Sequence, residues 1–323
     1  MYSHMHNRKY ITAFLWLFGL LIFLPKANAQ EEKPETLQEL AIIDSLPPVT
    51  KQGRLGKTLS EMFEIGESDQ LGIFRPTSYK PMYVIPLRWT DNFNRQPDNF
   101  NPERGDPPYR AYQNIESKFQ VSLKTKVWQD VLWGKGDLWV GFTQQAYWQV
   151  YNQELSRPFR EINYEPEVMY IMPLNLSIKN FKWRMVGLSL NHQSNGKEQL
   201  YSRSWNRIIL MTAYEWKNFI MIANFWKRFS EKSQDDDNPY IQDYVGRCEI
   251  TTYYSSERHI FSLLLRNNLN FAKNRGFAEF TYTYPLKGGL RAFAQLSYGY
   301  GDSLIEYNHK QMSIGMGVSL FDF

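Results

Sequence analysis

The chain of 323 residues carries 37 lysines and arginines against 33 aspartates and glutamates, and three of the basic residues, Arg8, Lys9 and Lys26, fall in an N-terminal leader. What remains balances 34 basic against 33 acidic side chains, a net charge of +1 that argues against nucleic acid as a partner. A single cysteine, Cys248, excludes an internal disulfide, and no segment after the leader offers the roughly 20 apolar residues of a spanning helix, which excludes a helical membrane protein.

The leader itself reads as an export signal. Arg8 and Lys9 precede an apolar run from Ile11 to Leu24, and Ala27-Asn28-Ala29 supplies the small-x-small cleavage pattern. Cleavage after Ala29 would start the mature chain at Gln30, with no cysteine at the junction to take a lipid. Residues 30–77 are charged and contain prolines, with weak periodicity, and read as a periplasmic or plug-like N-terminal extension to which no chemistry is assigned.

From Ser78 onward two-residue alternation dominates, as in "MSIGMGVSL" near the end of the chain. There Met312, Ile314, Met316, Val318 and Leu320 share one face, while Ser313, Gly315, Gly317 and Ser319 share the other. Large residues outward and small ones inward suit a transmembrane β-barrel, in which only alternate side chains meet lipid and mean hydropathy stays low, here −0.51 with 16% aromatic residues. Cys248 reads as a small buried or lipid-facing residue. Similar segments near residues 79–90, 116–129, 137–151, 163–177, 181–195, 202–216, 218–230, 242–255, 258–270, 276–286, 289–300 and 310–320 predict an all-β, twelve-stranded antiparallel barrel over 78–323. Phe323 supplies the terminal aromatic of such barrels, although the alternation slips between Leu320 and Phe321.

Parity then isolates one stretch, "NHQSNGKEQLYSRSWNR" at 191–207. His192 and Ser194 follow Val186, Leu188 and Leu190 on the outward face, and Asn206 shares the outward face of the next strand with Ile208 and Leu210. A hairpin through Gly196 to Leu200 sets Asn206 across from His192, at the roughly 5 Å spacing of cross-strand neighbours. Nucleophilic catalysis needs a hydroxyl, a base for its proton and a group to orient that base, and Ser194, His192 and Asn206 can supply them. An asparagine in the third place brings no charge for the imidazolium, so that electrostatic deficit must be met elsewhere. Polar groups on a lipid face cost free energy unless function retains them.

These residues resemble those of the outer-membrane phospholipases A of Gram-negative bacteria. The matching segments are "NHQSNG" and "SRSWNR", with "SRPFREINYEPE" upstream, "DDNP" at 236–239 and "YGYGDSLIEYN" at 298–308, so that the likeness runs from about Trp139 to the C-terminus. The resemblance implies Ser194 as nucleophile, His192 as general base and Asn206 as its orienting group, hydrolysing sn-1 and sn-2 acyl esters of phospholipids and lysophospholipids. It further implies a calcium ion in an active homodimer, held by the Ser202 hydroxyl, the Lys197 carbonyl and the Ser156 carbonyl of a second copy. Where relatives carry an aspartate this chain has Gln199, which removes a ligand from any calcium site of the monomer. The acidic run Asp235 to Asp237 could compensate, or could simply be a solvated external loop.

A second outward anomaly is Gln144, which interrupts the apolar series Leu138, Val140, Phe142, Ala146, Trp148, Val150. A primary amide facing lipid would be left unsatisfied, and either the same glutamine on a second copy satisfies it across a two-fold axis or a bulge turns Gln144 inward. The resemblance implies the same contact, in the bacterial outer membrane with the active site toward the outer leaflet. The competing reading is a passive channel or adhesin whose His192 and Ser194 are interface residues only.

Overall fold

The computed structural model describes residues 56–98, 100–101, 105, 107–286 and 289–320, apart from the Gln199 side chain. The export signal expected over 1–29, the extension up to residue 55 and the terminal Phe323 lie outside the described residues.

Twelve strands form the wall: β1 (Tyr83–Thr90), β2 (Ile115–Trp128), β3 (Asp137–Trp148), β4 (Glu161–Ile178), β5 (Phe181–Ser194), β6 (Ser204–Trp216), β7 (Phe219–Arg228), β8 (Cys248–Ser256), β9 (His259–Asn267), β10 (Gly276–Pro285), β11 (Arg291–Tyr300) and β12 (Lys310–Ser319). Each pairs antiparallel with its chain neighbours, and β12 returns to β1, which closes the sheet and leaves no edge strand. The closing seam is bulged where Gly317 passes β1. A Cβ there would lie 1.9 Å from the Val84 carbonyl oxygen, so only glycine fits.

Period-two alternation sets the two surfaces. On β12, Met312, Ile314 and Met316 are exposed while Gln311, Ser313, Gly315 and Ser319 are buried, and β5 likewise exposes Leu188 and Leu190 but buries Gly187, Ser189 and Asn191. One end of the barrel has two-residue turns at 179–180, 217–218 and 257–258; the other carries the longer loops 149–160, 195–203, 229–247 and 301–309.

The lumen is filled at both ends. At the short-turn end a helical turn, α1 (Leu59–Phe63), starts from a capping box in which the Thr58 side chain and the Glu61 carboxylate satisfy one another's backbone N–H groups. Leu59, Met62 and Phe63 pack on the inward side chains Trp139, Met169, Ile171, Met185 and Met211. Each such burial contributes about 1.5–3 kcal/mol. The Glu215 carboxylate accepts from the Leu59 N–H at 2.9 Å, and Lys126 bridges Glu64 at 3.1 Å and Asp137 at 2.8 Å. Toward the long-loop end, Arg88 pairs with Glu116 at 2.9 Å and also with Asp302, and Arg160 joins Glu116 at 2.8 Å and Glu306 at 3.1 Å. At the long-loop end Trp205, Ile209, Trp226, Ile241, Val245, Leu304 and Tyr307 form a second apolar cluster. Between these layers remains a polar cavity of about 190 Å³. In a planar bilayer the protein is therefore expected to show no steady conductance; a porin-like current would contradict this packing.

Candidate active site

The loop joining β5 to β6 rises from the long-loop end, and the two strands beneath it carry the candidate residues. His192 pairs directly with Asn206 and Ser194 with Ser204, all within one continuous register. The ring Nδ1 of His192 lies 2.8 Å from Asn206 Oδ1. The amide oxygen can only accept, so the bond places the proton on Nδ1 and leaves Nε2 with a free lone pair. Ser194 stands two residues along the same face, about 6.6 Å farther up the strand, where a rotation of its side chain brings the hydroxyl toward the ring. Among the described residues the Ser194 hydroxyl has no hydrogen-bond partner. Bonds of this kind often tighten only when substrate is present.

Exposure changes sign at this level of the wall. Leu188, Leu190 and Leu210 below the pair are about half exposed on the outer face, whereas the residues above belong to the polar loop. Tyr164 of β4 flanks Ser194, and Gly196, at φ 62°, leans over that ring: a Cβ there would come within 3.1 Å of it. The loop is held from inside by Asn195, which donates to the Tyr201 carbonyl at 2.8 Å and to Glu161 at 3.2 Å and accepts from the Arg203 N–H at 3.0 Å. The Lys197 ammonium pairs with Glu161 at 3.1 Å, which ties this part of the loop to the start of β4.

The residues expected to bind calcium sit on two neighbouring loops. Lys197 and Ser202 are on the β5–β6 loop, and Ser156 is on the β3–β4 loop, where its carbonyl accepts from the Trp148 indole at 2.8 Å. The acidic run of the next loop divides: Asp236 pairs with Arg228 at 2.6 Å, whereas Asp237 accepts from the Ser202 hydroxyl at 2.5 Å and from Ser204 at 3.4 Å. Asp237 thus contacts one of the residues expected to bind calcium, and is not merely part of a solvated loop. Its signal was the "DDNP" segment, in which Asn238 braces the arrangement by accepting from the Ser204 N–H at 2.9 Å. The Gln199 side chain, on which the reading of a monomer site turned, lies outside the described residues. Gln144 faces outward between Val121 and Tyr164, with Val140 and Phe142 exposed beside it.

A closed twelve-strand barrel of this kind is an outer-membrane protein, and the histidine–asparagine pair beside a serine on its outer face is a candidate hydrolytic site. The family model described as Phospholipase A1 matches residues 59–320. A putative phospholipase A1 of Neisseria meningitidis is 36% identical over 272 residues, covering 82% of this chain and 70% of the relative. The outer membrane phospholipase A of Escherichia coli, in a form with an active-site asparagine changed to alanine, superposes with TM-score 0.70 and 28% identity over 82% of this chain and 99% of its own. The outer membrane phospholipase of Salmonella typhi, solved as a dimer with bound calcium, gives 0.69 and 29% over 81% of this chain and 97% of its own. The chain belongs to the phospholipase A1 family, and it is accordingly an ester hydrolase of the Gram-negative outer membrane.

Proposed function

We propose that the protein hydrolyses sn-1 and sn-2 acyl esters of phospholipids and lysophospholipids through Ser194, His192 and Asn206, as a calcium-dependent dimer whose site faces the outer leaflet. The observation that carries this reading is the His192–Asn206 bond on the outer wall beside Ser194, at the level where lipid-facing leucines give way to polar loops. The active-site asparagine of the Escherichia coli relative supports the same role for Asn206. Long loops lie on the outer side of such barrels, which supports a site facing the outer leaflet.

Ser194 Oγ attacks the acyl carbonyl as His192 Nε2 takes its proton, while the Nδ1–H stays bonded to Asn206. The tetrahedral adduct collapses, His192 returns the proton to the departing glycerol oxygen, and the acyl group remains on Ser194. Water then attacks the acyl carbonyl as His192 Nε2 takes its proton, and the second adduct collapses with cleavage of the Ser194 Oγ–acyl bond, His192 returning the proton to Oγ as the fatty acid leaves. Asn206 orients the ring without charge, so Asn206→Ala is expected to lower kcat by about 10- to 100-fold and not to abolish it, read as fatty-acid release from mixed micelles.

The Ser202 hydroxyl and the Asp237 carboxylate that accepts from it are oxygen groups of the kind a hard divalent cation takes. Bound there by Ser202, the Lys197 carbonyl and the Ser156 carbonyl of a second copy, calcium would supply the positive charge that the asparagine does not. The Salmonella typhi relative, a dimer with calcium, supports both the metal and the assembly. Gln144 would meet its own copy across the two-fold axis, where one amide pair in lipid is worth about 1–2 kcal/mol. Gln144→Leu is accordingly expected to weaken dimerisation by about 5- to 30-fold in detergent sedimentation, with the barrel intact. The test of the whole reading is whether the purified dimer with calcium releases fatty acid and lysophospholipid from diacyl phospholipid; absence of both products would reject it.

A further inference from the structure

Behind the catalytic rung, on the lumen side, four side chains form one hydrogen-bonded clasp. His192 lies between Asn191 and Gln193, and Asn206 lies between Trp205 and Arg207, so alternation turns all four inward. Arg207 donates to Asn191 Oδ1 from Nη2 at 2.6 Å and from Nε at 3.1 Å, and its Nη2 reaches Gln193 Oε1 at 3.5 Å. Trp205 Nε1 donates to the same Gln193 oxygen at 2.8 Å, and the guanidinium lies 4.1 Å over the Trp205 ring. Each inward neighbour of the histidine is thus tied to an inward neighbour of the asparagine. The clasp extends to β4, where Glu165 Oε1 accepts from Arg207 at 3.0 Å and from Asn191 at 3.0 Å while Lys80 holds its other oxygen at 2.8 Å.

The outer rung needs such support. The β5–β6 connection is a long loop over 195–203, so no tight turn pins the register at His192, and a slip of one residue would exchange the two faces. On the lipid side the ring is restrained by a single hydrogen bond. A misplacement of about 1 Å in a catalytic group can cost 100-fold in rate. We propose that Arg207 is a positioning residue for the hydrolysis: through Asn191 and Gln193 it fixes the β5–β6 rung and so aligns His192 with Asn206. This rests on the triad reading above. Charge balance alone does not require the arrangement, since Lys80 already pairs with Glu165.

The test is a double-mutant cycle on the full-length dimer with calcium. Asn191→Ala removes the acceptor of Arg207 but keeps the Arg207–Glu165 pair, so no buried charge is stranded. Expected is a kcat lower by about 10- to 100-fold with KM within about threefold, and less than about twofold further loss when the same change is made in Asn206→Ala. Gln193→Met, near in volume, should show the same non-additivity if Asn191→Ala fails to give the heat-modifiable folded form. An equal factor in both backgrounds, or an unchanged kcat in a folded variant, would overturn the clasp and leave the triad standing. Wild-type kcat in Asn206→Ala alone would overturn the triad, and the clasp with it.

Discussion

Replacing Ser194 by alanine is expected to lower phospholipid hydrolysis by about 10⁴-fold or more while leaving a fully folded barrel. Both halves of that expectation come from the position of the side chain. In the proposed mechanism Ser194 forms the bond on which both chemical steps depend, so the residual rate would be only that of a bound ester meeting water beside His192. As a structural element it contributes almost nothing: it faces outward, is half-buried, and its hydroxyl has no hydrogen-bond partner among the described residues. Alanine keeps the Cβ at the position paired with Tyr164 of β4. Fatty-acid release and the heat-modifiable gel shift should therefore separate completely. Turnover within about tenfold of wild type in a folded variant would remove Ser194 from the mechanism.

Chelation of calcium is expected to suppress hydrolysis by at least about 100-fold, reversibly, and to shift the protein toward monomers. In the proposed mechanism the neutral Asn206 leaves the charge developing at the acyl carbonyl without a carboxylate-backed imidazolium to offset it, and a cation beside Ser202 would supply that part of the stabilisation. A site that takes Ser156 from one copy and Ser202 from the other is incomplete in a monomer, and calcium and dimerisation must then strengthen one another by the same coupling free energy. Asp237 gives the prediction a handle within one chain. Its carboxylate holds the Ser202 hydroxyl at 2.5 Å, so Asp237→Asn should raise the calcium needed for half-maximal activity by about tenfold or more. Activity indifferent to chelator, or full activity in a fraction shown by sedimentation to be monomeric, would refute the shared site.

Much of this was written in short-range pattern. Alternation alone turned His192, Ser194, Asn206 and Gln144 to the outside, because on a strand the face is decided by parity and nothing else. Strand ends were less legible where a side chain diverts the backbone. The segment expected from 202 begins at Ser204, since Asn195 takes the Arg203 N–H and the Tyr201 carbonyl into a loop. The segment expected from 242 begins at Cys248, because residues 241–244 form a helical turn, α2, closed by the Val245 N–H on the Ile241 carbonyl. The inward face was legible by parity, but the pairings across the lumen were not. Arg88 meets Asp302 across most of the chain, and the clasp behind His192 joins three strands and residue 80, contacts that no local periodicity encodes. Asp237 fell between these cases: its acidic neighbours read as a solvated run, and only the fold of the 229–247 loop shows that Asp236 is consumed by Arg228 while Asp237 reaches the serine.

The central claim, that chemistry occurs at Ser194 on the outer wall, is tested most directly by covalent labelling. The calcium-loaded dimer is treated with a fluorophosphonate bearing a long alkyl chain, and the modified residue is located by peptide mass spectrometry. A single adduct on Ser194, formed in step with loss of hydrolysis and absent from His192→Ala, is the expected result; an adduct on another serine, or undiminished hydrolysis by protein fully modified at Ser194, would contradict it.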